Sequence, residues 1–313
     1  MGAYIVRRLG WSVVVLFAIA IVTFLVTYIL PADPARMIAG IRATPEDVDR
    51  IRHALGLDQP LLVQLGRYLG RLLQGDFGHS YIQNRDVLSL VLERFPATLQ
   101  LAIAGLFVAL AIGLPLGVYA ATHKGSWPDR FSTVFTTVLV SAPSFLVGYL
   151  LLNFLAFQPQ ILVHVEIFPI GGYKSLDVRY LALPAITLGF GAAAYYTRLT
   201  RTAMIDELTR DYVQTARAKG LRDRVILWRH TFRNAFGPVL SQIGLDLGFF
   251  LGGVVVVERI FSWPGIGKLA VDSIVTADVP LILGTVLFGT LCVVLANLAV
   301  DIVQVLIDPR IRL

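Results

Sequence analysis

Apolar and polar positions follow two rhythms along the chain. Six stretches approach or exceed the ~18 apolar residues with which a helix crosses a hydrocarbon core of about 30 Å. They are 9–30, 97–121, 131–157, 181–197, 238–257 and 281–307. Asp246 interrupts the fifth and Asp301 the sixth. The pattern predicts an all-α, polytopic integral membrane protein with six transmembrane helices. Arg7 and Arg8 precede the first stretch, as in a signal peptide. Its apolar run is longer than the ~7–15 residues of a cleavable segment, and Leu30-Pro31-Ala32-Asp33 offers no small-x-small cleavage site, so a retained signal anchor is expected.

The second rhythm is amphipathic and lies between spans. In 31–96, Thr44-Pro45-Glu46-Asp47 reads as a helix start, with Thr as N-cap, Pro at the first helical position and acids in the first turn. Val48, Ile51 and Leu55 share one face, and Gly56 stops the helix. Asp58-Gln59-Pro60 opens a second helix, with Leu62, Leu65, Leu69 and Leu72 as an apolar stripe opposite Arg67 and Arg71. Such helices can lie on the membrane face or the bundle, and can also dock a soluble partner. Glycines four apart, Gly113/Gly117 and Gly244/Gly248/Gly252, mark close helix seams. Those seams fit packing within the chain and packing against a second subunit equally.

Composition supports the membrane reading. Hydrophobic residues make up 56% and charged residues 15%, against roughly 25% charged in soluble chains. Disorder needs low hydrophobicity and is excluded. A disulfide scaffold is excluded by the single cysteine, Cys292. The net charge of +6 is a topology signal. With the N-terminus inside, the cytoplasmic segments hold fifteen Lys and Arg, and the short outer loops 158–180 and 258–280 hold four. Lys and Arg in short loops set orientation, so both termini are expected in the cytoplasm. A nucleic-acid partner is not expected.

The segment 198–236 carries nine of those basic residues. Ile205, Leu208, Tyr212 and Ala216 recur at helical spacing, Gly220 ends that helix, and a second basic helix, about 222–233, leads to Pro238 at the start of span five. On spacing alone, a surface helix held by anionic lipid and a partner-docking helix are equally good readings.

The residues themselves favour the second. Asp211-Tyr212-Val213-Gln214-Thr215-Ala216-Arg217-Ala218-Lys219-Gly220-Leu221, followed by His230, Arg233-Asn234 and Pro238, resembles the cytoplasmic coupling loop of binding-protein-dependent ABC importer permeases of the dipeptide/oligopeptide/nickel branch. Gly56-Leu57-Asp58-Gln59-Pro60 and Gly75-Asp76-Phe77-Gly78-His79-Ser80 resemble that branch's first outer loop. Val257-Glu258-Arg259-Ile260-Phe261-Ser262-Trp263-Pro264-Gly265-Ile266-Gly267 resembles its fifth-to-sixth connection. Asn297, Asp301 and Asp308-Pro309-Arg310-Ile311-Arg312 resemble its C-terminal end.

The resemblance implies a permease subunit in the cell membrane, not itself an enzyme. It implies a second homologous permease, two cytoplasmic ATP-binding subunits carrying the ATP and Mg, and an extracytoplasmic substrate-binding protein. No cofactor is expected on this chain. Residues 1–30 would be the first transmembrane segment, 31–96 an extracytoplasmic loop and 97–313 a five-helix core. In the family the loop helix enters a cleft of the ATPase. Carried over, Ala216 and Ala218 let it seat closely, Arg217 offers charged contacts, Gly220 makes the turn and Asp211 caps or orients the helix. Di- or oligopeptides are the favoured substrates, with nickel, glutathione, haem and opines open. Asp246 departs from the family pattern. It fits a structural pair or a pathway lining, since an intramembrane charge normally faces the bundle interior or a water-filled cavity.

Other chemistries lack their residues. Gly265, Gly267 and Lys268 suggest a phosphate loop, but the motif needs Gly at 262 and Ser or Thr at 269, where Ser262 and Leu269 stand. His53, His79, His123, His164 and His230 show no metal-ligand spacing. An ion-coupled secondary transporter would want several intramembrane carboxylates and an internal repeat. An intramembrane enzyme would want a catalytic dyad or metal cluster. Neither pattern is present.

Overall fold

The computed structural model describes residues 2–29, 33–40, 43–162 and 164–307. Among these the chain is helical, apart from an isolated bridge between His79 and Asp86. Helix α1 (Gly2–Ile29) is followed by the short α2 (Pro34–Ala39), α3 (Pro45–Leu55) and α4 (Leu61–Leu73), then by α5 (Val87–Thr122). Next come α6 (Trp127–Ser141), α7 (Ser144–Leu152), a π-helical turn (Asn153–Phe157) and α8 (Gln158–Leu162). Helix α9 (Val178–Leu208) precedes α10 (Asp211–Ala218), α11 (Asp223–Val225), a second π-helical stretch (Ile226–Phe232) and α12 (Arg233–Leu251). The last are α13 (Val255–Ile260), α14 (Ile266–Val275) and α15 (Val279–Ile307). Among the described residues five stretches are long and apolar enough to cross a membrane, in α1, α5, α7 with α8, α9 and α15.

The predicted starts and stops in 31–96 hold where both partners are local. Thr44 caps α3: its Oγ1 accepts from the Asp47 N–H at 3.3 Å, and the Asp47 carboxylate accepts from the Thr44 N–H at 3.2 Å. Gly56 ends α3 with φ of 67°. The stripe on α4 holds at Leu65, Leu69 and Leu72, but its first member is Leu61 and not Leu62. Leu61, Leu65, Leu69 and Leu72 pack inward with Tyr68, while Leu62 is 78% exposed.

Four expectations need correction. The stretch 131–157 is two helices, because Pro143 forces Ala142 into an extended conformation (φ −80°, ψ 122°) and a new helix starts at Ser144. The helix expected through Ile205, Leu208, Tyr212 and Ala216 is broken. Helix α9 continues past Arg198 to Leu208, the Thr209 hydroxyl takes the Asp206 carbonyl at 2.8 Å, and Arg210 turns extended before α10. Pro238 does not begin span five but lies inside α12, whose helix runs on from the basic segment. Span five ends at Leu251, short of Val257. Gly253 there has φ of 105°, and a Cβ on it would meet the Gly267 Cα at 2.8 Å, so a side chain fits neither the backbone nor the space. Leu30 and the Asp308-Pro309-Arg310-Ile311-Arg312 motif, with the tail after 307, lie outside the described residues.

The chain divides into two compact units. The first comprises 1–98, 251–255 and 264–295. Its core joins Ala20 and Phe24 of α1, Tyr68 of α4, and Leu283 and Leu287 of α15. The loop before α5 is tied to the start of α15 by the buried Asp278, which accepts from the Ser80 hydroxyl and from the Tyr81 and Ile82 N–H groups. The second unit comprises 99–250, 256–263 and 296–313. In it α6 and α7 both pack on α9, and Trp263 is fully buried beneath Tyr173, ring edge to face at 4.8 Å.

Candidate coupling segment and the residues that hold it

Helix α10 is eight residues long. It is too short to be stable alone, so its position depends on what it packs against. Val213 and Ala216 are buried with Ile226, and Tyr212 covers them. The Tyr212 hydroxyl donates to Glu207 at the end of α9, at 2.7 Å. Burial first, and then that bond, push the Tyr212 phenol above its ordinary pKa. It therefore stays a hydrogen-bond donor throughout the physiological range.

The end of α10 is a complete Schellman motif. The Leu221 N–H donates to the Ala216 carbonyl at 3.2 Å, and the Gly220 N–H to the Arg217 carbonyl at 2.9 Å. Gly220 has φ of 74°, and nothing lies within 4 Å of where its Cβ would be. The need for glycine is thus conformational and not spatial. Ala216 turns inward onto Ile226 of its own chain. Asp211, Gln214, Thr215, Arg217 and Ala218 form the exposed face. Asp211 is not the cap: Arg210 holds the N-cap position without a side-chain bond, and Asp211 sits in the first turn, where its charge complements the helix dipole.

Arg201 and Asp129, unnoticed in the sequence, tie α9, to whose end Tyr212 bonds, to α6. Arg201 on α9 grips Asp129 at the start of α6 with two bonds, Nε to Oδ1 at 2.6 Å and Nη2 to Oδ2 at 2.9 Å. The Gly125 N–H donates to the same carboxylate at 2.9 Å. Asp129 is buried, and the Arg201 guanidinium, followed by the Gly125 N–H, holds its carboxyl down at about 2.

Gly113 and Gly117 of the first glycine seam, and Gly244 of the second, pack within the chain. A Cβ on Gly113 would sit 2.6 Å from the Tyr196 Cβ, and one on Gly117 would sit 2.6 Å from the Thr200 Cβ, so α5 lies directly on α9. On α12, a Cβ on Gly244 would meet Val300 at 2.6 Å. Two residues on, Asp246 is partly buried, and Gln242 Nε2 donates to its Oδ1 at 2.9 Å. The buried Tyr196 hydroxyl lies within electrostatic reach of that carboxylate.

This architecture has counterparts among known proteins. Residues 113–313 match the model of the binding-protein-dependent transport system inner membrane component, and residues 1–102 match the N-terminal model of the same membrane components. The chain belongs to this permease family. It is 40% identical, over 99% of its length and 98% of the relative's, to a glutathione transport system permease protein of Salmonella paratyphi A. The corresponding protein of Escherichia coli K12 is 39% identical over the same shares. Two inward-facing structures of the MetNI methionine ABC transporter share its fold. One has a TM-score of 0.55 and 17% identity over 71% of this chain and 97% of that one, and the other 0.56 and 18% over 70% and 96%.

The permease is therefore a multi-pass protein of the cell membrane and a subunit of an ABC importer. Two of the motifs that carried the resemblance have visible structural reasons. Ser80, between α4 and α5, bonds Asp278. In the fifth-to-sixth connection the Ile266 N–H donates to Thr98 Oγ1 at 2.8 Å. Ser262 of the same connection takes the left-handed conformation, φ 51°.

Proposed function

We propose that the permease imports small peptides, and that α10 transmits ATP-driven movement from a cytoplasmic ATP-binding subunit. The observation that carries this reading is the docked helix itself. Its inner face is fixed by Val213 and Ala216, its end is locked at Gly220, and its polar outer face is exposed, with Arg217 3.7 Å from Asp223. A helix held in this way moves with the helices beneath it. Arg217 and Ala218 supply the contact surface, and Ala216 supplies the seat against Ile226. Asp211 orients the helix through its dipole.

Six spans with both termini in the cytoplasm complete the proposal. The span to be added to the five apolar stretches is α12, the fifth in chain order, whose apolar length is interrupted by Asp246. The fifteen-to-four bias of Lys and Arg supports the orientation. On this reading the chain divides into a first span (1–30), an outer segment (31–96) and a core (97–313). A second permease completes the pathway, two ATP-binding subunits bind ATP and Mg, and an outer binding protein delivers substrate. Asp246, oriented by Gln242, faces the pathway. A partner can shift the inward and outward states only by its differential affinity for them.

The relatives' names make glutathione, a tripeptide, the first substrate to test. The assay is uptake of labelled glutathione and of a neutral dipeptide by vesicles holding the complete transporter and its binding protein. ATP-dependent accumulation of either supports the reading. Accumulation of nickel or haem with neither peptide transported overturns the substrate assignment.

A further inference from the structure

The first unit contains a cavity of about 600 Å³ that the coupling role leaves unused. Arg67 and Arg71, one turn apart on α4, line it on either side of Tyr68. Neither arginine is in a salt bridge among the described residues. Tyr68 is 7% exposed, and its hydroxyl has no hydrogen-bond partner among the described residues. A buried donor left in this way bears its desolvation cost uncompensated unless something accepts from it. Burial raises the Tyr68 pKa, so the hydroxyl keeps its proton. Asp76 also lines the wall, but its Oδ1 is taken by the Gly78 N–H at 2.7 Å. Among the lining residues two arginines stand against the one carboxylate of Asp76, so the lining itself is net positive, with Asp58 beyond it within electrostatic reach of Arg67.

A second depression, about 180 Å³, shares Phe77 with the first, and every residue lining it is apolar. Three helices line both, in the same order. On α1, Phe24 faces the cavity and Ala20, one turn deeper, faces the groove. On α15, Leu283 faces the cavity and Leu287 the groove. On α4, Arg71 faces the cavity and Leu72 the groove. From Phe24 to Leu16 the change from charged to apolar lining runs about 12 Å along α1. It runs the same way along α15, from Leu283 to Leu291.

A charged head followed by a long apolar slot is the order of groups in a membrane lipid. We propose that this is a binding site for one anionic phospholipid. Its phosphate lies between Arg67 and Arg71 and accepts from the Tyr68 hydroxyl, and one acyl chain follows Ala20, Phe77 and Leu287. A soluble anion would leave the groove empty, and a lipid without net negative charge would leave the second arginine uncompensated. The site ties α4 to α1 and α15 through the lipid, and so couples the outer segment to the membrane around it.

The test is native mass spectrometry of the purified, assembled transporter in detergent, with added phosphatidylglycerol, phosphatidylcholine or inorganic phosphate. One phosphatidylglycerol should be retained per copy of this chain, in clear excess over phosphatidylcholine, and millimolar phosphate should not displace it. Arg67→Gln with Arg71→Gln, both on the surface, should lower that retention by about tenfold or more, at about 1 kcal/mol for each basic residue near an anionic surface. Ala20→Phe, which fills the groove, should lower it with the arginines intact. Equal retention of the two lipids by the wild-type complex, displacement by phosphate, or unchanged retention in the double variant would each overturn the proposal. The wild-type arms decide the matter even if a variant fails to assemble.

Discussion

The amide of Leu221 is bonded to the carbonyl of Ala216 at 3.2 Å, and the link closes only because Gly220 between them lies at φ 74°. A β-branched residue in that conformation costs at least about 1–2 kcal/mol. The loss falls on one short helix whose inner face carries only Val213 and Ala216.

Gly220→Val should therefore leave membrane insertion and complex abundance near wild type while substrate-stimulated ATPase activity and uptake fall several-fold or more. Gly220→Ala should be intermediate. Wild-type uptake in the valine variant would show that the locked end of α10 is not needed for coupling.

Breaking the Arg201–Asp129 grip should destabilise the whole second unit. Asp129→Asn leaves Arg201 short of its counter-charge, at a cost of about 2–4 kcal/mol. It should appear as a lower Tm of the purified complex. The sign with pH follows from the depressed carboxyl. Its folded value, about 2, lies below the ordinary ~4. Its contribution is complete above pH ~4 and is lost as pH falls from there toward 2. The Tm gap between wild type and variant should be constant from pH 8 to pH 5 and close only under acid. A gap that closes near neutral pH would assign the stabilisation to another group.

Asp246→Asn keeps the shape and the bond from Gln242 but removes the charge. If the carboxylate faces the pathway, uptake of cationic peptides should drop by more than that of neutral ones, with rates normalised to complex abundance. An equal loss across substrate charge would make Asp246 a structural group beside Tyr196 and Gln242.

What could be read from the sequence depended on how far apart the partners lie. The cap of α3 was legible because Thr44 and Asp47 are three residues apart and satisfy each other. The stop at Gly220 was legible because glycine is the residue such an end demands. The break at Ala142 was written in the sequence too, since Pro143 restricts the residue before it, but a uniformly apolar stretch reads as one span when judged by hydropathy alone. Arg198 looked like the end of span four for the opposite reason: charge ends a hydrophobic run without ending a helix, and α9 continues to Leu208. Asp129 and Arg201 are 72 residues apart, and Ser80 and Asp278 are 198 apart. No local pattern can pair such residues. The glycines of α5 announced a close seam, and only the fold showed that α9 fills it.

The central claim is that the exposed face of α10 sits in the cytoplasm against an ATP-binding subunit. The most direct measurement places a single cysteine there. Ala218→Cys in a Cys292→Ser background is exposed on that face, and Cys292 itself is buried. A short thiol cross-linker should join residue 218 to the ATP-binding subunit in the assembled transporter, and a membrane-impermeant thiol reagent added outside the cell should not reach it. Labelling of residue 218 from outside, with no cross-link to that subunit, would contradict both the orientation and the coupling role.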